Sequence, residues 1–306
     1  MSCRLTTGPL SLSAAKPSVD GKGIFVVGSQ ERSELVRYDA KSGQFVPYLS
    51  GISAGHVSFS RDGQWVAYVT WPDDNLWRSR IDGSEKLQLT TAPLAVESAD
   101  WSPDGTQIAY TAILPGQREN LYVTSASAGE SRQVAGGSLS MRSSGWTPDG
   151  SSLLFFALKA AETPAISFVD VKTMKVTDVP TGDASVGATL SPDGRYIAAA
   201  PIDGQKLMIY DVAAQKWSEL AKQNVNAIRW SYDSQYVYFD TQSNAAPAVY
   251  RVRVSDHKLE TVASLKNLRR VILPFRAWMG LTPDGSPLLM RDTGTQEVYA
   301  LDFEEP

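Results

Sequence analysis

A five-residue motif that returns seven times constrains this chain more than any other feature. Trp101-Ser102-Pro103-Asp104-Gly105, Trp146-Thr147-Pro148-Asp149-Gly150, Leu190-Ser191-Pro192-Asp193-Gly194 and Leu281-Thr282-Pro283-Asp284-Gly285 are its clearest copies. Phe59-Ser60-Arg61-Asp62-Gly63 lacks only the proline, and Trp230-Ser231-Tyr232-Asp233-Ser234 lacks both the proline and the glycine. Pro17-Ser18-Val19-Asp20-Gly21 is the faintest copy. The aspartates stand at 20, 62, 104, 149, 193, 233 and 284, separated by 42, 42, 45, 44, 40 and 51 residues. A period of about 40 to 45 residues is that of a four-stranded propeller blade.

The motif chemistry is that of a tight strand-to-strand turn. Proline presets φ, aspartate accepts hydrogen bonds from the backbone just after it, and glycine takes φ > 0 without a steric penalty. After each turn comes a short apolar run such as Trp65-Val66-Ala67-Tyr68-Val69, Ile108-Ala109-Tyr110 or Tyr236-Val237-Tyr238-Phe239, rich in β-branched and aromatic residues. A third strand follows 14 to 17 residues beyond each aspartate, with Leu35, Leu76, Leu121, Ile166, Leu207, Val249 and Val298 in equivalent places. A polar turn such as Asp82-Gly83 then leads to an outer strand such as Leu87-Gln88-Leu89-Thr90. The pattern predicts an all-β, seven-bladed propeller of four-stranded antiparallel blades, with residues 1–306 as a single domain. The seventh unit ends after its third strand, Glu297 to Leu301, while Leu5-Thr6-Thr7 and Pro9-Leu10 align with Leu89-Thr90-Thr91 and Pro93-Leu94 two periods later. Residues 3–7 are therefore expected to complete the last blade, so that the N-terminal strand closes the ring and removes open sheet edges. An open or six-bladed ring with one degenerate unit is the alternative.

Composition narrows the partners. With 306 residues, 42% hydrophobic and 20% charged, the chain has material for a large core. Acidic residues number 33 against 29 basic ones, and no run of five like charges occurs, which argues against direct nucleic-acid binding. Cys3 is the only cysteine, so neither an intramolecular disulfide nor a cysteine zinc site can form. No secretory-type apolar run opens the chain and no segment approaches a membrane span, so the sequence leaves its compartment open.

Several motifs invite a catalytic reading. Gly51-Ile52-Ser53-Ala54-Gly55, followed by His56, matches the G-x-S-x-G of a nucleophile elbow. That motif works only where a strand turns sharply into a helix. Here it lies between an outer strand ending near Leu49 and an inner strand beginning near Val57, so a flexible blade-to-blade connection is expected instead. His56 and His257 are the only histidines, 201 residues apart, and cannot form the histidine cluster that some pectin-cleaving propeller lyases place around a metal. Asp73-Asp74-Asn75 is the one compact oxygen-rich cluster, too small for a calcium cage. No cofactor and no metal are expected. Trp101, Trp146 and Trp230 recur in register and are expected to pack, whereas Trp71 falls outside the register and is the aromatic most suited to a partner contact.

These motifs resemble the Pro-Asp type of WD-like repeat found in TolB-like propellers, over nearly the whole chain. Leu35 to Phe45 and Arg251 to Glu260 also resemble the C-terminal propeller of bacterial, especially acidobacterial, winged-helix regulators or kinases. That resemblance implies a sensory or interaction module of a regulatory protein. With WD-like connectivity, the loops joining second to third strands share a face with the blade-to-blade connections, and loops on a rigid scaffold concentrate binding residues. The candidate partner contacts are Trp71, Asp73, Asp74, Arg118, Glu119, His56, Arg142, Arg269 and Arg270, with Glu31 and Arg32 beside them. Arg269 and Arg270 fall in the 51-residue interval, and insertions in repeat proteins commonly mark a binding face. Their mixed charge suits a protein or peptide bound by a monomeric, non-catalytic scaffold. The alternative is a carbohydrate-active or ester-cleaving enzyme with acids in the propeller channel.

Overall fold

In the computed structural model the described residues are 10–138, 141–158, 164–180, 182, 186–241, 246–272 and 277–302. They form strands in seven antiparallel sheets, with no α-helix among them and so none long and apolar enough to cross a membrane. The N-terminal strands are β1 (Ser11–Pro17), β2 (Gly23–Gln30), β3 (Ser33–Asp39) and β4 (Gln44–Pro47). Blade I follows as β5 (Ala54–Phe59), β6 (Trp65–Thr70), β7 (Leu76–Arg80) and β8 (Leu87–Gln88). Blade II is β9 (Ala95–Trp101), β10 (Gln107–Ile113), β11 (Glu119–Ser125) and β12 (Arg132–Ser138). Blade III is β13 (Met141–Trp146), β14 (Ser152–Leu158), β15 (Pro164–Asp170) and β16 (Val176–Val179). Blade IV is β17 (Val186–Leu190), β18 (Tyr196–Ala200), β19 (Leu207–Asp211) and β20 (Lys216–Ala221). Blade V is β21 (Ile228–Trp230), β22 (Tyr236–Asp240), β23 (Ala248–Arg253) and β24 (Leu259–Ser264). The last strands among the described residues are β25 (Met279–Leu281), β26 (Pro287–Asp292) and β27 (Thr295–Asp302).

The all-β propeller expected from the repeat is present, with one sheet for each of the seven motif copies. N-terminal strands do pair with C-terminal ones. Blade VI runs β25-β26-β3-β4, with Met290 opposite Leu35 and Leu289 opposite Val36. The first strands touch in the order β5, β9, β13, β17, β21, β25 and back to β5, an unbroken cycle of six blades. Six apolar clusters fill the six gaps between neighbouring blades. The seventh sheet, β1-β2-β27, has three strands and contributes to none of these clusters.

One strand assignment changes as a result, that of Val298. Residues 3–7 lie outside the described residues, and the third and fourth places beside β26 are occupied by β3 and β4. Of the seven residues read as third-strand equivalents, Leu35, Leu76, Leu121, Ile166, Leu207 and Val249 are fully buried, but Val298 is 72% exposed. The reason is pairing: Val298 sits on β27 opposite Val27 of β2, because β3 already fills the slot beside β26.

The motif's geometry recurs in all seven copies. The Ser or Thr hydroxyl donates to the Asp Oδ1 two residues on, at 2.6 Å in the copies from Ser18 to Ser231 and again from Thr282 to Asp284. The same hydroxyl oxygen accepts the backbone N–H that opens the next strand, as Trp65 N–H to Ser60 Oγ at 2.9 Å. The aspartate accepts a backbone N–H two residues further on. The repeat's tryptophans pack as expected, and the Trp146 and Trp230 indoles also donate to Asp100 O and Thr189 O of the preceding blades.

Where the motif lacks glycine, Ser234 takes its left-handed conformation at φ 60°, and its hydroxyl accepts the Asp193 N–H at 3.1 Å. Ser234→Ala keeps the strain and loses that bond, so it should destabilise by about 1 kcal/mol. Ser234→Gly relieves roughly 1 to 2 kcal/mol of left-handed strain. It should therefore be neutral or mildly stabilising; denaturant melts of the two variants check this order.

Acid should loosen the wheel. The Thr147 hydroxyl, then the Ser151 backbone N–H and hydroxyl, hold the Asp149 carboxyl down to about 2, and Asp62, Asp104 and Asp233 are lowered by their motif serines. A carboxylate depressed in the folded state stabilises fully above its unfolded value of about 4, and that contribution is lost as pH falls through the folded value. The thermal midpoint should hold near neutrality and drop between about pH 4 and 2. Asp149→Asn should lower the midpoint at neutral pH and narrow its difference from the acid value.

Candidate functional site

Strand direction fixes which residues meet. Each first strand runs toward its motif turn, so the loops between second and third strands lie on the opposite face with the blade-to-blade connections. On that face the Trp71 to Asn75 loop joins β6 to β7, and Glu31 and Arg32 join β2 to β3.

Three neighbouring cavities follow from this placement. One of about 100 Å³ lies where first strands of several blades converge, lined by His56, Ser98, Asp100, Thr189, Arg229 and Trp278 among others. The second, about 300 Å³, shares His56 and is lined by Glu31, Trp71, Asp74, Glu97, Arg142 and Met290, with Val69, Pro72 and Val96. The third, also about 300 Å³, shares Glu31 and Trp71 and reaches Arg269, Asp292 and the ends of β2 and β27. His56 and Trp71 are thus the partitions of a track from the axial channel to the three-stranded sheet.

Local backbone features set these partitions. A bulge between Gly55 and Ser58 puts His56 at φ 49°, a conformation that bulges use to re-aim a side chain. The imidazole lies 6.0 Å from the Trp278 ring. Burial, with the nearby Arg142 and Arg229 guanidiniums, pushes its pKa well below the ordinary histidine value, so it is neutral at neutral pH. Asp74, at φ 51°, is pushed up to about 6 by burial and by the like charges of Glu97, Asp73 and Glu31. Arg142 Nη2 lies 3.9 Å from Glu97 Oε2.

The other sequence candidates fall elsewhere. Asp73 is exposed at the rim beside Asp74, and Arg118 is exposed before β11; neither lines a described cavity. Glu119 is buried at the start of β11. Arg269 is exposed and paired with Asp292 at 2.8 Å. Arg270 turns inward: Nη1 meets Asp240 Oδ2 at 2.6 Å, with side chains 8% and 0% exposed. Asn226 and the Ala227 N–H complete the Asp240 shell, and Arg270 also donates to Trp278 O. The long interval thus supplies a buried ion pair that locks blade V to blade VI, and leaving either charge alone there would be costly.

Sequence reasoning did not single out Glu97, Asp100, Arg229, Trp278 and Met290. Asp100 and Arg229 each stand two residues before their motif serine, and aligning the first strands on that serine exposes the channel-facing register.

Ser53, the serine of G-x-S-x-G, is a strut. Its hydroxyl donates to Trp71 O at 2.8 Å, its oxygen accepts the Ser33 N–H at 3.2 Å, and its carbonyl accepts the Trp71 N–H. It precedes a strand, which removes the elbow geometry.

Residues 69–270 match the family described as the tricorn protease N-terminal β-propeller domain. No protein of curated function matches in sequence. A putative TolB from Agrobacterium tumefaciens is similar at 17% identity and TM-score 0.68, over 86% of this chain and 98% of that one. TolB from Acinetobacter baumannii is similar at 14% identity and TM-score 0.58, over 96% and 83%. An oligogalacturonate lyase in complex with manganese is similar at 15% identity and TM-score 0.56, over 82% and 79%. At these identities the likeness is one of fold.

Ser53→Ala should cost about 1 to 2 kcal/mol in a denaturant melt, since it removes the hydroxyl's bonds to Trp71 O and to Ser33 while the backbone bond to Trp71 remains. It should leave background hydrolysis of p-nitrophenyl acetate unchanged. A fall in hydrolysis at unaltered stability would return the serine to a nucleophile's role.

Proposed function

Because the chain belongs to the family of tricorn protease N-terminal β-propeller domains, we propose that it is a non-catalytic propeller that binds a protein or peptide along the track from His56 to Trp71. The observation that carries this reading is the row of three cavities sharing His56, Glu31 and Trp71. A chain of side-chain-sized depressions on one face suits an extended segment better than one compact molecule. Trp71 stands at the middle of the row, where a partly exposed aromatic is most effective as an anchor. Arg142, His56, Asp74 and Arg269 would set register, and the resemblance of Leu35 to Phe45 and Arg251 to Glu260 to regulator propellers supports a monomeric interaction module of a bacterial regulatory protein.

A carbohydrate-active or ester-cleaving enzyme is the second reading, favoured by Asp100 in the channel cavity and by likeness to the lyase fold. Only two histidines are available to such an enzyme, and His257 stands in the turn between β23 and β24, remote in the chain from His56 on β5.

Selection of random peptides on the intact protein should yield binders whose affinity falls about 10-fold or more with Trp71→Ala, at an unaltered fold. Failure to select any peptide, together with turnover of oligosaccharide or ester substrates that Asp100→Asn abolishes, would overturn the binding reading in favour of the enzyme.

A further inference from the structure

We infer that the middle cavity takes a cationic side chain, a lysine or an arginine, of the bound segment. This deepens the peptide-binding reading and rests on it for the partner, but its evidence is the chemistry of one cavity. Three elements bring carboxylates to the wall: Glu31 from the β2–β3 connection, Asp74 from the β6–β7 loop and Glu97 from β9. Arg142 is the one cation among the lining residues, and it lies against Glu97. The lining therefore carries three acids and one base, with Asp73 at the rim.

The rest of the wall says what kind of cation fits. Val69, Trp71, Pro72, Ala95, Val96 and Met290 are apolar or aromatic. Among the described residues no group of three or more acids, histidines or cysteines gathers closely enough to hold a metal ion. Carboxylates spread around an apolar space of about 300 Å³ do not suit a bare divalent ion, which needs oxygens packed at short range. They suit a charged head on an aliphatic stem, the stem lying along Val69, Val96 and Met290 and the head facing Trp71 and the carboxylates. Glu97 Oε2 is shielded from solvent and makes no hydrogen bond, and Arg142 Nη2 at 3.9 Å is the cation facing it, so Arg142 is spent on Glu97 while Glu31 and Asp74 remain at the wall. Burial first, and then the like charges of Glu97, Asp73 and Glu31, raise the Asp74 carboxyl, and a cation bound beside these carboxylates would return it toward its ordinary range.

The test separates this inference from the broader one by using a small probe. N-acetyl-arginine N-methylamide, its lysine counterpart and the neutral citrulline and norleucine counterparts are titrated into the intact protein by calorimetry or NMR. The two cations should bind at least about 10-fold more tightly than the neutral probes near pH 7.5, as expected when charge-assisted hydrogen bonds are added to the same stem. Asp74→Asn, which keeps a residue tolerant of the left-handed backbone, should weaken cation binding several-fold while leaving norleucine-probe binding and the thermal midpoint unchanged. Wild-type binding of the cations should weaken on acidification through about pH 6 as Asp74 takes up a proton. The facing groups are Glu31, Glu97, Asp73 and Arg142, with His56 held neutral, so Glu31→Gln and Glu97→Gln should weaken the cations in the same direction. Equal binding of arginine and citrulline probes, tighter binding of an N-acetyl-glutamate probe, or no binding of any probe would overturn the inference. If selected peptides still depend on Trp71 in that case, the peptide-binding reading stands without it.

Discussion

The ladder between β26 and β3 holds the rest of the molecule in place. Five consecutive pairs, from Leu288 opposite Arg37 to Asp292 opposite Ser33, join segments some 250 residues apart in sequence. Leu35 and Val36 are fully buried on the two faces of β3, one in the cluster shared with blade I and the other in the cluster shared with blade V. Without this ladder both clusters would lose a wall, and the edge strands β26 and β3 would offer open backbone groups to other chains. The Glu34–Arg291 pair crosses the same seam at 3.0 Å.

The candidate face depends on that seam. Trp71 hangs from Ser53, and Ser53 bonds to Ser33, the first residue of the ladder strand. Arg270, Asp240 and Asn226 tie blade V to blade VI on the other side of it. The three cavities of the track therefore lie around blade I, beside the seam where N-terminal β3 pairs with C-terminal β26, and run out to the three-stranded sheet.

The sequence made the repeating part legible because its information is local. Ser60, Asp62 and Gly63 define a turn from five consecutive residues, and the apolar run after it reads as a buried strand. Which sheet a strand joins is not local. Asp20 makes the same turn as Asp104, yet its strands β1 and β2 pair with β27 outside the cycle. Leu35 and Val298 look alike in register, and only the competition for the slot beside β26 makes one fully buried and the other exposed. The candidate site divides in the same way. Trp71 and Asp74 stood out because they lie in a loop outside the repeat, and His56 because it is one of two histidines. Glu97, Asp100 and Arg229 were hidden because polar residues on a first strand read as ordinary solvent-facing alternation until the axis is known. Arg270 looked like a binding residue because its insertion has no counterpart in the other units, and only Asp240, 30 residues earlier, reveals it as part of the core.

The distribution of charge follows from the same architecture. The blades bury their apolar side chains against one another, which leaves the inner faces of the first strands around the axis without apolar partners. Polar groups placed there meet across the channel, and each must be balanced by another blade's residue or by a ligand. Arg229 lies in the fields of Asp100 and Arg142, contributed by blades II and III, and its own guanidinium donates to Ile228 O at 2.8 Å. Further out, toward Trp71, the balance tips: Arg142 faces Glu97, but Glu31 and Asp74 add negative charge at the wall of the middle cavity. Charge is thus nearly balanced where the track is narrowest and unbalanced where it is wide enough for a side chain to enter. An incoming cationic group would find little to gain at the axis and most to gain beside Trp71, so the track discriminates by position as well as by sign.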